Sequence, residues 1–204
     1  NVGAVVYCSE NIPFKEIVSQ IPEVSECLNG FHTPIPKMFY STYRVKEWDG
    51  KTTDGEQCID LEDETINQDY ADFFGVEVLD GSMLDEKDGK DKVVINEAAV
   101  KVFGWTQPVG KKIAKLGKQY IVKGVIKNIS YNAPIHPVAP AMFHLPDSRD
   151  RGGPIFKVKE GTWNIVSEKI KAEVNKVNPN AELMLSNIEE VYDAYMKSCL
   201  LYTS

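Results

Sequence analysis

The stretch "DYADFFGVEVLDGSMLDEKDGKDKVVINEAAVKVFGWTQPVGKK", residues 69–112, holds the densest set of local structure signals in the chain. A short helix is predicted over 67–74, because Gly75 follows it as a terminator, and the extended segment "VEVLDG" comes next. After an acidic loop, "KVVI" at 92–95 predicts a strand, and a second short helix is predicted over 96–103. This alternation predicts a mixed α/β segment.

The glycines near the end of this stretch raise the question of a phosphate-binding loop. Such a loop needs four residues between two glycines, then Lys and a Ser or Thr that holds magnesium. Here five residues separate Gly104 from Gly110, and Lys112 stands where the hydroxyl residue is required. Gly104 is instead predicted to end the helix that Asn96 caps, with a turn at Pro108. No nucleotide or other cofactor is expected.

Outside this stretch, the two ends of the chain share one pattern. At the start, "VGAVVYC" (2–8) predicts a strand, residues 13–21 a helix with one apolar face, and residues 24–31 a second strand. The last third repeats the order with a strand at 154–159, a helix at 162–177 capped by Thr162, a strand at 181–186, and a final helix whose capping box pairs Ser186 with Glu189.

These patterns predict an α+β fold with two subdomains. We expect a discontinuous ferredoxin-like βαβ + βαβ subdomain, formed by residues 1–65 and 139–198, and an inserted mixed α/β subdomain at 66–138. Residues 118–127 predict a strand of the insertion with a bulge at Gly124. The prolines that follow predict an irregular return path.

Aromatic residues cluster in a predicted hairpin whose first arm is "FYSTYRVKEW" (39–48) and whose second arm is "EQCIDLE" (56–62). Their side chains either pack in the core or are exposed to a partner, and we favour packing. If they are exposed, the candidate partner or cleft surface consists of Phe39, Tyr40, Tyr43, Trp48 and, from the proline-rich loop, Tyr131.

Composition excludes several classes of function. The chain has 204 residues, 43% of them hydrophobic, so it is long enough to bury a core. Its formal net charge is −7 and its lysines are scattered among acids, so no nucleic acid is expected as a partner. No run reaches the ~18 consecutive apolar residues of a membrane helix.

Residues that could carry chemistry do not form a recognisable set. No His or Cys pair has the close spacing of a metal site, and no nucleophile, base and oxyanion donor lie together in a motif, so neither a metal nor an enzyme is expected. The acidic loop 85–91 fails the EF-hand pattern and is expected to be solvated. We expect ordinary surface or loop histidines at His32, His136 and His144. The sequence leaves two alternatives for Cys8, Cys27, Cys58 and Cys199, which either form disulfides or are buried free thiols.

As an ordered set, the motifs resemble the MacB-like periplasmic core domain of ABC transporter permeases, in the Bacteroidetes branch of the FtsX-like permease family. The sequence departs from that pattern at Ser82-Met83-Leu84, where the family has Arg-x-Phe, and at Val122-Lys123-Gly124, where a second apolar residue is usual. It also departs at residues 199–204, which we expect to be a non-native or truncated tail. The matching residues are Tyr70, Phe73, Gly81, Val94, Ile95, Asn96, Glu97, Pro108, Val109, Gly110, Lys111, Gly124, Val125, Ile126, Lys127 and Asn128.

The resemblance implies a non-catalytic domain on the outer side of the inner membrane, inserted between the first two transmembrane helices of a permease. Its discontinuous part would be porter-like and its insertion sabre-like. Its expected partners are the transmembrane helices of the same permease, a cytoplasmic ATPase subunit acting indirectly, and a periplasmic adaptor or a second permease copy. The implied role is to transmit the conformational change that ATP hydrolysis drives. The alternative is a sensor that binds a ligand, peptide or lipid between the subdomains.

Overall fold

The computed structural model describes residues 2–8, 12–28, 41–51, 57–129, 137–146 and 153–201. In chain order the elements are β1 (Val2–Cys8), α1 (Phe14–Ser19), β2 (Val24–Leu28), β3 (Thr42–Val45), β4 (Glu47–Trp48), β5 (Ile59–Thr65), α2 (Gln68–Phe74), β6 (Val78–Gly81), β7 (Lys92–Asn96), α3 (Glu97–Phe103), β8 (Lys112–Lys115), β9 (Lys118–Ile126), β10 (Ala141–His144), β11 (Ile155–Val158), α4 (Trp163–Val177), β12 (Leu183–Asn187) and α5 (Ile188–Leu201). The fold is α+β.

Contacts along the backbone divide the chain into two units, one made of Asn1–Lys37 with Ser148–Ser204 and one made of Met38–Asp147. From the sequence, the first unit was expected to end at residue 65 and to resume at residue 139. It ends earlier, at Lys37, and resumes later, at Ser148. The reason is strand pairing, because β3 pairs with β5 and β5 pairs with β10, which places all three strands in the sheet of the second unit.

The first unit is built on a four-stranded sheet in the order β12-β1-β11-β2, in which every neighbouring pair is antiparallel. Its strands come from both ends of the chain, as the repeated strand–helix–strand pattern predicts. Apolar side chains of the sheet, including Val5 and Phe156, pack against apolar faces of α1 and α4. The helix α5 packs against β1 and β12.

The helix α4 forms because its apolar residues recur at helical spacing. Val166, Ile170 and Val174 are all buried on the face turned to the core. The predicted cap is wrong, however: the Thr162 side chain makes no capping hydrogen bond, and its hydroxyl donates to the Lys159 carbonyl instead. Thr162 thus stabilises the turn that precedes the helix.

The start of α5 also differs from the prediction. The residue before the helix is Asn187, whose side-chain oxygen accepts from the backbone N–H of Glu189 at 3.1 Å. The Asn187 side-chain amide donates to Glu190 at 3.1 Å. Ser186 is still part of β12, where it pairs with Ala4. The capping function therefore lies one residue later than the pair Ser186–Glu189 predicts.

The second unit is built on a sheet with the strand order β3-β5-β10-β7-β9-β8-β4. The strand β6 pairs with the last residues of β9, beyond the part that pairs with β8. Only Lys46 separates β3 from β4, although the two strands lie at opposite ends of this order. Two Cα–Cα steps span at most about 7 Å, so the sheet must curve until its two ends meet. We call it the rolled sheet, and its core includes Val45, Leu61 and Ile113.

The strands β8 and β10 were missed by the sequence analysis, which predicted a turn at Pro108 but assigned no element to residues 112–115, and predicted an irregular path where β10 lies. Each has only four residues, and neither has a long alternating pattern. Both are stabilised by non-local partners, β8 by β4 and β9, and β10 by β5 and β7. The bulge predicted near Gly124 is present, because the pairing of β7 with β9 skips Lys123.

Candidate functional site

Asn96 anchors the junction between β7, α3 and β10. Its side chain is fully buried and its oxygen accepts from the backbone N–H of Ala99 at 2.9 Å, which caps α3 as predicted. The same oxygen accepts from Ala141 at 3.0 Å, and the Asn96 amide donates to the Ala139 carbonyl at 2.8 Å. All of these partners are backbone groups of the protein, so Asn96 joins the start of α3 to the residues where β10 begins.

A second part of the same junction joins Glu97 to Asn128. The Glu97 carboxylate accepts from the backbone N–H of Asn128 at 2.9 Å, and the Asn128 side chain accepts from the backbone N–H of Ala98 at 3.0 Å. Residues 31 positions apart therefore cap one another. Both belong to the motifs on which the family resemblance is based, and both stabilise the fold rather than a ligand.

The segment from Gly104 to Lys112, which leads into β8, also makes its backbone hydrogen bonds within the protein. The N–H of Gly110 donates to the Val122 carbonyl at 2.8 Å, and the N–H of Lys111 donates to Pro108 at 3.1 Å. The N–H of Lys112 donates to the carboxylate of Asp49 at 2.9 Å. These backbone donors, which a phosphate would need, are directed at intramolecular acceptors.

The acidic loop between β6 and β7 is organised around Lys123, the bulged residue of β9. The Lys123 ammonium lies 2.5 Å from Asp88 and 3.4 Å from Asp85. Asp88 also accepts from the backbone N–H of Asp85 at 2.8 Å, and only 14% of its side chain is exposed. The prediction of a solvated acidic loop is therefore wrong for Asp88, because a lysine distant in sequence neutralises it.

Electrostatics of this pair follow from the geometry. Burial by itself raises the pKa of Asp88, but the hydrogen bonds from the Asp85 backbone and from Lys123, with the nearby lysine charges, outweigh it and lower the pKa below the usual range. For Lys123, burial by itself lowers the pKa, and the bonds to Asp88 and Asp85 raise it. Each group thus favours the charged form of the other.

A different group of polar side chains lies on the core-facing side of the rolled sheet. Residues two apart in a strand lie on the same face. Three such pairs lie on this side of the sheet: Leu61 and Asp63 in β5, Ile113 and Lys115 in β8, and Met142 and His144 in β10. In each pair the first residue is buried core. Beyond this apolar level, four side chains form what we call the polar layer: Tyr43, Asp63, Lys115 and His144.

Contacts within the polar layer are specific. The Lys115 ammonium forms an ion pair with the second carboxylate oxygen of Asp63 and lies 5.5 Å from the centre of the Tyr43 ring. The Tyr43 hydroxyl accepts from the backbone N–H of Leu116 at 2.8 Å. His144 Nε2 lies 3.8 Å from the first carboxylate oxygen of Asp63. The layer therefore joins four strands, β3, β5, β8 and β10.

The aromatic residues of the first hairpin arm contact their own unit. Trp48 packs at 5.6 Å from Phe103 and carries the Lys51 ammonium 5.0 Å above its ring, and both Trp48 and Tyr43 lie against the core of the rolled sheet. The other proposed surface residues, Phe39, Tyr40 and Tyr131, lie outside the described residues. Of the five candidates, the structure therefore describes only Tyr43 and Trp48.

The histidines and cysteines have different environments. His144 is a strand residue of the polar layer rather than an ordinary loop histidine, while His32 and His136 lie outside the described residues. No disulfide joins Cys8 and Cys27, which both pack beside the core of the first unit. Burial raises the pKa of the Cys27 thiol, and the charge of Lys15 partly opposes this. Burial thus favours the protonated Cys27 thiol.

Two further properties bear on function. Among the residues that the structure describes, no group of three or more His, Cys, Asp or Glu side chains is arranged to hold a metal ion. Among the helices of those same ranges, none combines the length and the apolar character needed to cross a membrane.

Comparison with solved structures shows which fold this is. The periplasmic region of MacB from Actinobacillus actinomycetemcomitans matches with a TM-score of 0.56 and 14% identity, over 95% of this chain and 90% of that one. The extracellular domain of the noncanonic ABC-type transporter YknZ from Gram-positive bacteria matches with a TM-score of 0.57 and 16% identity, over 90% of this chain and 100% of that one.

A domain of a protein named as a permease, from Porphyromonas gingivalis, matches with a TM-score of 0.57 and 14% identity, over 84% of this chain and 80% of that one. No family model and no curated protein sequence matches the chain. The resemblance drawn from the motifs is therefore confirmed as a likeness of fold to MacB-like extracytoplasmic domains.

Proposed function

We propose that this chain is the extracytoplasmic domain of an ABC transporter permease and transmits the conformational change that ATP hydrolysis produces. The observation that carries the proposal is the likeness of fold to three such domains, which extends over 84% or more of this chain and 80% or more of each relative. Domains of the same fold that are matched along nearly their full length support a shared general role. The role is mechanical and non-catalytic.

The arrangement of the first unit supports mechanical transmission. The beginning of β1 lies beside the end of β12, because Gly3 pairs with Asn187. The helix α5 follows Asn187 without a linker, is capped by it, and packs against β1 and β12. A displacement applied to α5 would therefore reach the sheet through these direct contacts, because no linker separates α5 from β12.

We propose further that the two units are the porter-like and sabre-like subdomains of such permeases. The strand order β12-β1-β11-β2, with all neighbours antiparallel and a helix after β1 and after β11, supports a ferredoxin-like βαβ + βαβ arrangement for the first unit. The second unit is inserted between β2 and β11 and supplies the rolled sheet.

The partners that follow from this role are the transmembrane helices of the same permease, with a cytoplasmic ATPase acting through them, and a periplasmic adaptor or a second permease copy outside. Localisation at the inner membrane, with this domain on its outer side, belongs to the same proposal. We favour this role over a ligand sensor because Tyr43 and Trp48, two aromatic residues that the sensor would use, already contact the core of their own unit.

The test uses the full permease with its ATPase subunit in lipid nanodiscs. Spin labels replace the exposed residues Lys171 in α4 and Lys101 in α3, and the distance between them is measured with and without a non-hydrolysable ATP analogue. In the native permease we expect the distance distribution to change when nucleotide binds. A short glycine segment inserted between Asn187 and Ile188 should reduce that change while ATP hydrolysis continues.

The matched control inserts the same glycine segment at Gly117, in the exposed turn between β8 and β9, and should leave the nucleotide-dependent change intact. Mechanical transmission would be contradicted if the distance distribution of the native permease did not change on nucleotide binding. It would also be contradicted if the insertion after Asn187 left the nucleotide-dependent change undiminished. A change produced by a bound peptide or lipid and not by nucleotide would favour the sensor.

A further inference from the structure

The turn between β8 and β9 carries a residue that local chemistry disfavours. Lys115 pairs with Lys118, so the loop between the strands consists of Leu116 and Gly117 alone. Both have a positive φ, +51° and +74°, which is the conformation of a type I′ turn. Asn, Asp or Gly is favoured at the first position of such a turn, and a leucine is strained there. Proteins break local rules of this kind mainly where a residue serves function.

Leu116 is also held in a fixed and exposed position. It is 78% exposed, more than any other large apolar residue that the structure describes. The Tyr43 hydroxyl accepts from the backbone N–H of Leu116 at 2.8 Å, and Lys115 is fixed by its ion pair with Asp63. The polar layer therefore presents Leu116 as a rigid apolar tip of the second unit, and rigidity lowers the entropy cost of binding.

The surroundings of this tip are basic. Residues 111–127 contain six lysines and no acid, although the whole chain has a formal net charge of −7. Three of these lysines are paired with acids from other segments, namely Lys115, Lys123 and Lys127. Lys118, two residues from Leu116, is exposed and forms no ion pair with any residue that the structure describes. A surface complementary to the tip should therefore combine an apolar cavity with acidic groups.

The first unit carries a cavity of this kind between α1 and α4. Its volume is about 370 Å³, and its lining includes the buried side chains of Ile17 and Ile21. Glu16 and Glu173 also line it. Glu173 is paired with Lys176, whereas Glu16 forms no ion pair within the described part of the chain. The cavity thus places a free carboxylate beside apolar side chains.

The cavity also contains a lysine, but its charge is already neutralised. The Lys169 ammonium lies 2.7 Å from each carboxylate oxygen of Glu23. This bidentate contact leaves Glu16 as the charged group of the cavity that lacks an opposite charge. We call this site the α1–α4 cavity.

We infer that Leu116 of one copy inserts into the α1–α4 cavity of a second copy, with Lys118 beside Glu16. The tip and the cavity are different surfaces of the chain, so the contact is heterologous: each copy gives its tip to one neighbour and receives the tip of another. The inference assigns a surface to the second permease copy named among the proposed partners and rests on the proposed function for that setting. The contact itself can be tested on the chain alone.

The first test measures self-association of the 204-residue chain by sedimentation at low salt. Leu116→Asn removes the apolar side chain and supplies a residue that the type I′ turn favours. We expect association to weaken about tenfold or more, because a buried leucine contributes that much to binding, while the unfolding midpoint rises. A wild-type chain that stays monomeric would overturn the inference. An unchanged association, or a lower midpoint in the variant, would do the same.

The second test reverses charges across the contact. Lys118→Glu should weaken the association, and adding Glu16→Lys to the same chain should restore it, because the two opposite charges are then exchanged. Lys101→Glu, at an exposed lysine of α3, is the matched control and should leave the association unchanged. If the double reversal fails to restore association, Lys118 does not meet Glu16 and the placement of the tip is wrong.

The third test separates the tip from the cavity. Gln20→Trp fills the cavity from an exposed position and keeps the tip, whereas Leu116→Asn keeps the cavity and lacks the tip. At a concentration where each variant alone is monomeric, an equimolar mixture should contain dimers and nothing larger, since one contact remains intact. A mixture that stays monomeric contradicts the inference. Binding of the chain to phosphatidylglycerol vesicles through Leu116, without self-association, would instead assign the tip to a lipid surface.

Discussion

Gly124 in β9 packs directly against the backbone of Ser82, so closely that a Cβ atom at residue 124 would lie 2.3 Å from the Ser82 carbonyl oxygen. The neighbouring glycine of β6, Gly81, approaches β9 in the same way, with a hypothetical Cβ 2.2 Å from the Lys123 carbonyl oxygen and a φ of +69°. The two glycines allow β6 to lie against the bulged part of β9.

We expect Gly124→Ala to destabilise the second unit by about 2–3 kcal/mol, because two backbones would have to separate to accept the new methyl group. The measurement is the midpoint of chemical unfolding. Gly104→Ala is the matched control, since Gly104 has a positive φ but open space around it, and it should cost only about 1 kcal/mol. Equal losses would show that space is not the constraint at Gly124.

Asn96→Ala should cost more stability than Asn67→Ala, although both residues cap a short helix. Asn67 accepts from Tyr70, whereas Asn96 is buried and also binds Ala139 and Ala141 of the β10 entry. Losing a cap costs about 1 kcal/mol, and the buried groups left unpaired near Asn96 add about 1–3 kcal/mol. Thermal unfolding of the two variants tests this, and similar midpoints would mean that the cross-strand bonds contribute nothing.

Asp88→Ala should destabilise by about 1–2 kcal/mol at neutral pH, since it removes a charge-assisted hydrogen bond and leaves Lys123 with weaker neutralisation. Glu86→Ala in the same loop is the control. Glu86 is exposed, and its loss should change stability by less than about 0.5 kcal/mol. Urea unfolding measures both, and equal effects would return Asp88 to the class of solvated loop acids.

The contribution of Asp88 should also depend on pH in a definite direction. Its pKa is lower in the folded protein than in the unfolded chain, so the folded state holds the proton less tightly. The stabilisation is therefore complete above the ordinary aspartate pKa of about 3.9 and is lost as the pH falls through the lower folded value. The difference in unfolding free energy between wild type and Asp88→Asn should vanish at acid pH. A difference that grows on acidification would reverse the assignment.

The helix α4 offers two isoleucines for a direct comparison of burial. Ile170 is fully buried, while Ile165, five residues earlier and on a different face of the helix, is 52% exposed. We expect Ile170→Ala to cost about 2–5 kcal/mol, because it leaves a cavity in the core of the first unit. Ile165→Ala should cost less than about 1 kcal/mol. Calorimetry of both variants measures these losses. A larger loss of stability in Ile165→Ala than in Ile170→Ala would contradict the assignment of the buried face.

Local chemistry made several features predictable from the sequence. The helix α3 begins after its cap Asn96 and ends at Gly104, and α2 ends at Gly75, as predicted, because a side-chain cap and a left-handed glycine act within one turn of the chain. The cap of α2 by Asn67 was not predicted, because the sequence analysis placed Asn67 inside that helix. The apolar face of α4 followed from its spacing. The likeness of fold followed from the order of the motifs, although each motif is short.

Tertiary structure alone decided the rest. The boundaries of the two units, the strands β8 and β10, and the capping of α5 by Asn187 depend on which segments meet in space. So does the polar layer, whose members Tyr43, Asp63, Lys115 and His144 are spread over four strands and share no sequence pattern. The physical reason is that strand pairing and ion pairing act between residues distant in the chain, whereas caps and helical periodicity act between neighbours.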